Sequence, residues 1–166
     1  MLERLVRWAF VNLPVTERMW AGSHTERSAP PFMRLEKPLS QVRLGLVTTG
    51  GVHHADQPPF KRKADSPQGD GSFRKLDLDR LGADYRITHD WYDPSDALED
   101  LDLVLPTARV RTLVAEGIVG SLAPTGVGLM GHVEDRELRR LEYQTGPEVA
   151  GLMQGAAVDA VLLVPA

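Results

Sequence analysis

The segment VDAVLLV, Val158 to Val164, restricts the fold more than any other part of the chain. Its last four residues, Val161 to Val164, offer no polar face, so an extended strand here needs cover on both sides. Strands of this composition belong to parallel sheets sandwiched between helices, and this one reads as a central strand. It follows the helical pattern PEVAGLMQGAA directly, the helix-to-strand join of α/β units. A second apolar run, QVRLGLVTT (Gln41 to Thr49), carries Val42, Leu44, Leu46 and Val47 and closes on Gly50-Gly51. The expected fold class is therefore α/β: an open, mostly parallel sheet with flanking helices. It looks truncated after a central strand, because the crossover helix expected to cover VDAVLLV is absent from these 166 residues.

A chain of 166 residues suits one domain. Residues 1–40 read as an N-terminal helix and extended connector, and residues 41–166 as the α/β domain. In the helix, Leu2, Leu5, Val6, Ala9, Phe10 and Leu13 trace one face before Pro14 ends it. Glu3, Arg4 and Arg7 interrupt what would have to be the apolar core of a secretory signal. With no run near the ~20 apolar residues of a membrane span, the expected location is the cytoplasm, with no membrane partner. The net charge of −4 gives no basic footprint for nucleic acid. The absence of cysteine excludes disulfides and thiol chemistry within these residues.

Between the two runs the chain is loop-rich. His53 to Ser72 contains prolines, Asp-Gly turn signals and a basic patch, Lys61-Arg62-Lys63, which reads as a solvated loop. DYRITHD (Asp84 to Asp90) is a short strand, and LDLVLP (Leu101 to Pro106) an extended lead into a helix. That helix is capped by Thr107, buries Val110, Leu113 and Val114, and stops at Gly117. Another helical region begins near Glu134. Thr145 to Glu148 has capping-box spacing, which splits the region into two helices or one sharply bent one, with Val149, Leu152 and Met153 facing inward.

Chemistry-bearing residues cluster after the strand ends, where open α/β sheets bind ligands. In Thr48-Thr49-Gly50-Gly51-Val52-His53-His54 the paired glycines allow a close backbone approach, or form a plain turn. In Gly69-Asp70-Gly71-Ser72-Phe73-Arg74 the Asp and Arg either close the loop as an ion pair or free a guanidinium to grip a carboxylate. Thr88-His89-Asp90-Trp91-Tyr92-Asp93 supplies a histidine suited to proton transfer near neutral pH. Gly126-Val127-Gly128-Leu129-Met130-Gly131-His132 marks a backbone that turns tightly or passes close to something. The spacing of His53, His54, His89 and His132 matches no zinc motif, so no metal is expected.

LVTTGGVHHADQPPF, GDGSFRKL, THDWYD, LDLVLPTARVRTLVAEGIVGSLA and VDAVLLVPA occur in this order along the chain. Over about Val42 to Ala166 the sequence resembles the glycine/sarcosine/betaine and D-proline reductase selenoprotein B family, and its short members most. The resemblance implies an oxidoreductase that reductively cleaves the C–N bond beside a carboxylate in an amino acid or N-methylated derivative. In such proteins a selenolate or thiolate attacks the α-carbon and displaces the amine. It implies no cofactor within the chain, but a selenocysteine or cysteine immediately after Ala166, at a strand end that lowers its pKa. The expectation that follows is a chain ended by reading UGA as termination. Implied partners are a small amino-acid-like substrate, a pyruvoyl-containing partner subunit, a thioredoxin-like electron donor, and an oligomeric assembly. On the matching positions, Thr49, Gly50, Gly51 and Arg74 are candidate substrate-binding residues, with Arg74 on the carboxylate. His53 and His89 are candidate catalytic residues, and His89 is the candidate proton donor to the leaving amine. Without a redox residue the 166-residue chain would be inactive by itself. A non-catalytic partner or small-ligand-binding subunit of a redox complex is the alternative reading.

Overall fold

In a computed structural model of the protein, residues 33–80 and 82–166 are described. The expected helix Leu2–Leu13 and the first part of the connector lie outside these residues. Leu35–Ala166 pack as one unit, whose centre is strand β1 (Arg43–Thr48). β1 pairs in parallel with three strands: β5 (Ser121–Leu122) along its first residues, β6 (Thr125–Gly128) along its last, and β7 (Ala160–Val164) on the other side. Strand β3 (Arg74–Asp77) adds antiparallel to β6. The sheet is thus mostly parallel with one antiparallel edge. A separate antiparallel pair joins β2 (Val52–His54) to β4 (Tyr85–Ile87).

Alternation along β1 sends Leu44 and Leu46 to one face and Gly45 and Val47 to the other. On the first face Leu46 packs with Val52, Leu76, Leu78 and Tyr85 under Ala97, Val104, Leu105 and Val110. These last four come from α1 (Ser95–Glu99), a 3₁₀ turn at Leu101–Leu103 with its following residues, and α2 (Thr107–Ala115). On the second face Val47 and Val127 meet Met153, flanked by Val149 and Leu152. Gly45 permits this close approach: a Cβ there would lie 2.9 Å from Met153 Sδ and 3.1 Å from a Val158 methyl. The α/β class expected from the two apolar runs is the observed one.

VDAVLLV forms the expected strand. Among the described residues β7 pairs only with β1, and Val161, Leu162 and Leu163 are 38%, 39% and 69% exposed. Composition set the strand; pairing, which composition does not encode, set its place in the sheet. Several local expectations are corrected. Leu101–Pro106 is not extended, because Asp100 accepts the Asp102 N–H and closes a 3₁₀ turn. Nor does Thr107 cap α2. The Asp102 carboxylate takes the N–H groups of Ala108 (3.0 Å) and Arg109 (2.8 Å), the orphan donors of the first turn. Thr107 is itself helical, and its hydroxyl is buried without a partner. Of the expected stripe Val110 is buried, whereas Leu113 is 36% exposed.

The Thr145–Glu148 capping box is also absent. α3 (Asp135–Arg140) runs through a π-helical turn at Leu141–Thr145 into α4 (Gly146–Gly155) without a break. Pro147 has no N–H to continue an α-helical ladder, and widening the turn so that Gly146 N–H reaches Leu141 O accommodates it. Thr145 adopts helical angles, and its hydroxyl donates to Gly71 O at 2.5 Å. It fastens helix to loop.

Candidate functional site at the carboxyl rim of the sheet

Because β1, β6 and β7 run parallel, their carboxyl ends share one rim. Thr49 N–H donates to Val164 O, Leu129 N–H to Thr48 O, and Ala166 N–H to Thr49 Oγ1 (3.1 Å). The paired glycines turn the chain here. Gly51 has φ +69°, and a Cβ on it would collide with Thr88 O, so both its backbone and its neighbour require glycine. Its N–H donates to Leu129 O and its carbonyl accepts from Thr88 N–H. Gly50 N–H is taken by Thr48 Oγ1, and Gly50 O by the Tyr92 hydroxyl at 2.9 Å. The amides of Thr49, Gly50 and Gly51 are thus bonded within the protein. The turn joins four segments, and the carbonyls of Gly50 and Gly51 are bonded within the protein as well.

His53 and His89 occupy different settings. His53 is buried with both ring nitrogens engaged, Nδ1 against His54 O (2.8 Å) and Nε2 against Thr88 Oγ1 (2.9 Å). A carbonyl only accepts, so Nδ1 carries a proton, and in the neutral ring the Thr88 hydroxyl donates to Nε2. His89 is 7% exposed. Its Nδ1 accepts the Trp91 N–H at 3.1 Å, which leaves the proton of the neutral ring on Nε2. That Nε2 is buried without a hydrogen-bond partner. Burial, with a smaller contribution from His132, holds the His89 pKa below the usual histidine range; Asp90 opposes this. The ring also packs on Tyr92, whose hydroxyl burial shifts upward.

Arg74 is built into the wall of the loop. Its guanidinium donates to Pro58 O, Pro59 O, Phe73 O and Ser72 Oγ, lies 3.7 Å from the Asp70 carboxylate, and covers the Phe60 ring. Asp70, 3% exposed, accepts from Lys61 N–H, Ser72 N–H and the Ser72 hydroxyl. Burial acts to raise its pKa, but these donors and Arg74 together bring it below the usual carboxylate value. The basic patch is likewise anchored: Lys63 N–H donates to Asp90 Oδ2, and the Lys63 ammonium lies over the Trp91 ring, whose plane meets His132 at a centroid distance of 4.0 Å.

The structure therefore brings Thr49, Gly50, Gly51 and His89 to one rim. His53 braces the adjoining strand pair, and Arg74 the loop from Pro58 to Phe73. Trp91, Tyr92 and Gly131 complete the rim. Their segments stood out in the sequence, yet no residue pattern specified a backbone N–H on His89 or a tyrosine on Gly50. Among the described residues no three His, Asp or Glu side chains gather to hold a metal ion. A surface recess of about 330 Å³ beside Asp79, Arg111 and Ser121 opens at the opposite end of the sheet, since Ser121 pairs with the first residue of β1.

Comparison with known families decides which family the mostly parallel sheet and the order of the segments at its carboxyl rim belong to. The family described as glycine/sarcosine/betaine reductase selenoprotein B matches residues 24–166. The chain belongs to that family. Among individual members of the selenoprotein B family and their relatives, it is 34% identical over 153 residues to D-proline reductase subunit gamma of Acetoanaerobium sticklandii. That alignment covers 92% of the chain and 60% of the relative. It is 32% identical to glycine reductase complex component B subunit gamma of Symbiobacterium thermophilum, covering 84% of the chain and 33% of the relative. It is 31% identical to sarcosine reductase complex component B subunit beta of Peptoclostridium acidaminophilum, covering 64% and 26%. The chain spans between about a quarter and three fifths of these relatives. No solved structure matches it. Among the described residues no helix is long and apolar enough to cross a membrane.

Proposed function

We propose that this chain forms part of a multi-component reductase that cleaves the C–N bond of a small amino acid or N-methylated amino acid, and that the reaction takes place at the carboxyl rim. The carrying observation is His89, whose Nε2–H is buried at the rim without a partner. A buried donor left unbonded costs about 1–3 kcal/mol, so a ligand acceptor that reaches it binds with that advantage. A selenolate or thiolate brought to this rim supplies the nucleophile for the α-carbon. The bonding pair of the C–N bond then leaves with nitrogen, where electron density grows during cleavage. His89 meets this nitrogen as a hydrogen-bond donor. The Trp91 N–H on Nδ1 keeps the proton of the neutral ring on Nε2, and burial favours the neutral form. Thr49, Gly50 and Gly51 set the backbone against which the substrate lies. Asp70 and Arg74 hold the loop wall, and a substrate carboxylate at Arg74 would exchange with the loop carbonyls that guanidinium now binds. A pyruvoyl-containing subunit and a thioredoxin-like donor complete the assembly in this reading.

The test uses the assembled reductase carrying this chain, supplied with a dithiol and with D-proline, glycine, sarcosine or betaine in turn. Removing one preorganised donor costs about 10²–10³ in kcat. His89→Ala is expected to lower kcat on the preferred substrate by that order, and His89→Gln, which restores an N–H, to recover part of it. Full activity in His89→Ala, or no reduction of any amino substrate by the assembled wild type, overturns the proposal.

A further inference from the structure

Strand β3 lies at one side of the main sheet, and the small β2–β4 pair packs beside it. Lys75 and Asp77 are two positions apart, so their main-chain groups turn to the same side of the strand. Side chains, not a further strand, meet them there. Gln57 Nε2 donates to Lys75 O at 2.8 Å, Asp77 N–H donates to His54 Nε2 at 2.7 Å, and the Tyr85 hydroxyl donates to Asp77 O. Gln57 also takes the His54 N–H on its Oε1. These three side chains close an edge that, left bare, offers its main-chain groups to another chain. His54 is the one that acid can change. It is 2% exposed and packs on the Tyr85 ring. A backbone N–H only donates, so Nε2 accepts and the proton of the neutral ring sits on Nδ1, which is buried without a partner. A second proton has only Nε2 to go to, where it would face the Asp77 N–H donor to donor. Protonation of His54 and the bond to Asp77 exclude each other.

We infer that His54 is an acid-released guard of the β3 edge: the neutral ring closes the Asp77 N–H, and a ring that takes a proton leaves that bond and opens the edge. The inference goes beyond the proposed reaction and does not rest on it. The groups that face His54 are Asp77 and Arg80 in and after β3, Asp84 ahead of β4, Tyr85 on β4, and Asp56 in the turn after β2. Burial is the largest influence and, with Arg80, holds the His54 pKa below the usual histidine range, while the three carboxylates oppose it. The ring is therefore neutral and the edge shut at neutral pH. Gln57 carries no titrating group, and the Tyr85 hydroxyl, pushed up to about 12, stays protonated, so only the His54 bond responds to acid. Its release separates β2 from β3 and leaves the backbone pairing of β2 with β4 in place. β2 starts at Val52, next to Gly51, so the guard sits on the strand that leaves the rim turn.

The experiment is NMR of the full 166-residue chain, wild type and His54→Gln. It follows amide hydrogen exchange and, with ¹⁵N-labelled histidine, the tautomer of His54. Glutamine serves because its amide oxygen can accept the Asp77 N–H and does not titrate. At neutral pH the His54 ring is expected to carry its proton on Nδ1. Protection of the Asp77 amide, measured against an unstructured peptide at the same pH, should fall about tenfold in the wild type between pH 7.5 and 5.5, because the released ring titrates near the ordinary value of about 6.5. The amide of Ala123, bonded to Leu44 O within the main sheet, should fall much less. In His54→Gln the fall at Asp77 should disappear. A neutral ring protonated on Nε2 overturns the inference. So does an equal fall at Ala123, which means that acid loosens the whole sheet, or an undiminished fall at Asp77 in a folded His54→Gln. If that variant does not fold, the wild-type tautomer and the contrast between Asp77 and Ala123 decide alone.

Discussion

Asp70→Asn tests whether the loop beneath the rim is held by charge. The substitution keeps the shape but replaces one carboxylate oxygen with an NH₂ group. If the remaining oxygen stays with the Ser72 N–H and hydroxyl, the new NH₂ faces the Lys61 N–H and the Arg74 guanidinium. One charge-assisted hydrogen bond is lost, worth about 1.5–3 kcal/mol, and a donor is set against a donor. The ion pair at 3.7 Å is lost as well, but Arg74 keeps its bonds to Pro58 O, Pro59 O and Phe73 O, so its charge is not stranded. The sum is about 3 kcal/mol. For a chain of 166 residues, 1 kcal/mol shifts Tm by about 2–4 °C, which predicts a fall of about 6–12 °C at pH 7. The folded-state carboxyl titrates below the usual value. Its stabilisation is therefore complete above the unfolded pKa of about 3.9 and disappears as pH falls through the folded one. The wild-type advantage in thermal and urea unfolding should accordingly narrow at the acid end. A loss below about 1 kcal/mol at pH 7, or a gap that widens toward acid, would refute the argument.

Gly51→Ala combines a positive φ with a Cβ driven onto Thr88 O; we expect a loss of at least about 2 kcal/mol in urea unfolding, and a neutral result would show that the turn can relax. The histidines should make the fold acid-sensitive. His54 and His89 are both held below the usual range, first by burial, so the unfolded chain takes up protons first as pH falls through about 6.5. The urea midpoint should therefore drop between pH 7.5 and 5.5, and a rise would contradict it. Tyr85, pushed up to about 12 chiefly by burial and bonded to Asp77 O at 2.7 Å, should give no phenolate absorbance near pH 10. Tyr85→Phe should cost about 1 kcal/mol in urea unfolding, and an equally stable variant would show that bond to be immaterial.

The sequence by itself determined the class of the fold and the family. Apolar runs without a polar face, joined to helical periodicity, point to a helix-flanked parallel sheet, and that pattern is local enough to read along the chain. Thr48 to Gly51 could be placed at the end of a strand for the same reason. Tertiary structure alone decided the rest. It put VDAVLLV beside β1, in register from Leu44 with Ala160 to Thr48 with Val164, because pairing depends on which strands meet and not on what either contains. It gave the cap of α2 to Asp102, since a carboxylate five residues upstream can outreach the threonine at the helix start only after the 3₁₀ turn has folded it back. It turned the Thr145 capping box into a helix–loop bond and fitted Pro147 into a widened turn. Above all, it distinguished two histidines that look alike in sequence. Both are buried, but Thr88 and His54 O close His53, while Trp91 occupies one side of His89 and leaves the other facing Gly131. The bond that closes His53 comes from Thr88, 35 positions away, and only the folded chain brings the two together.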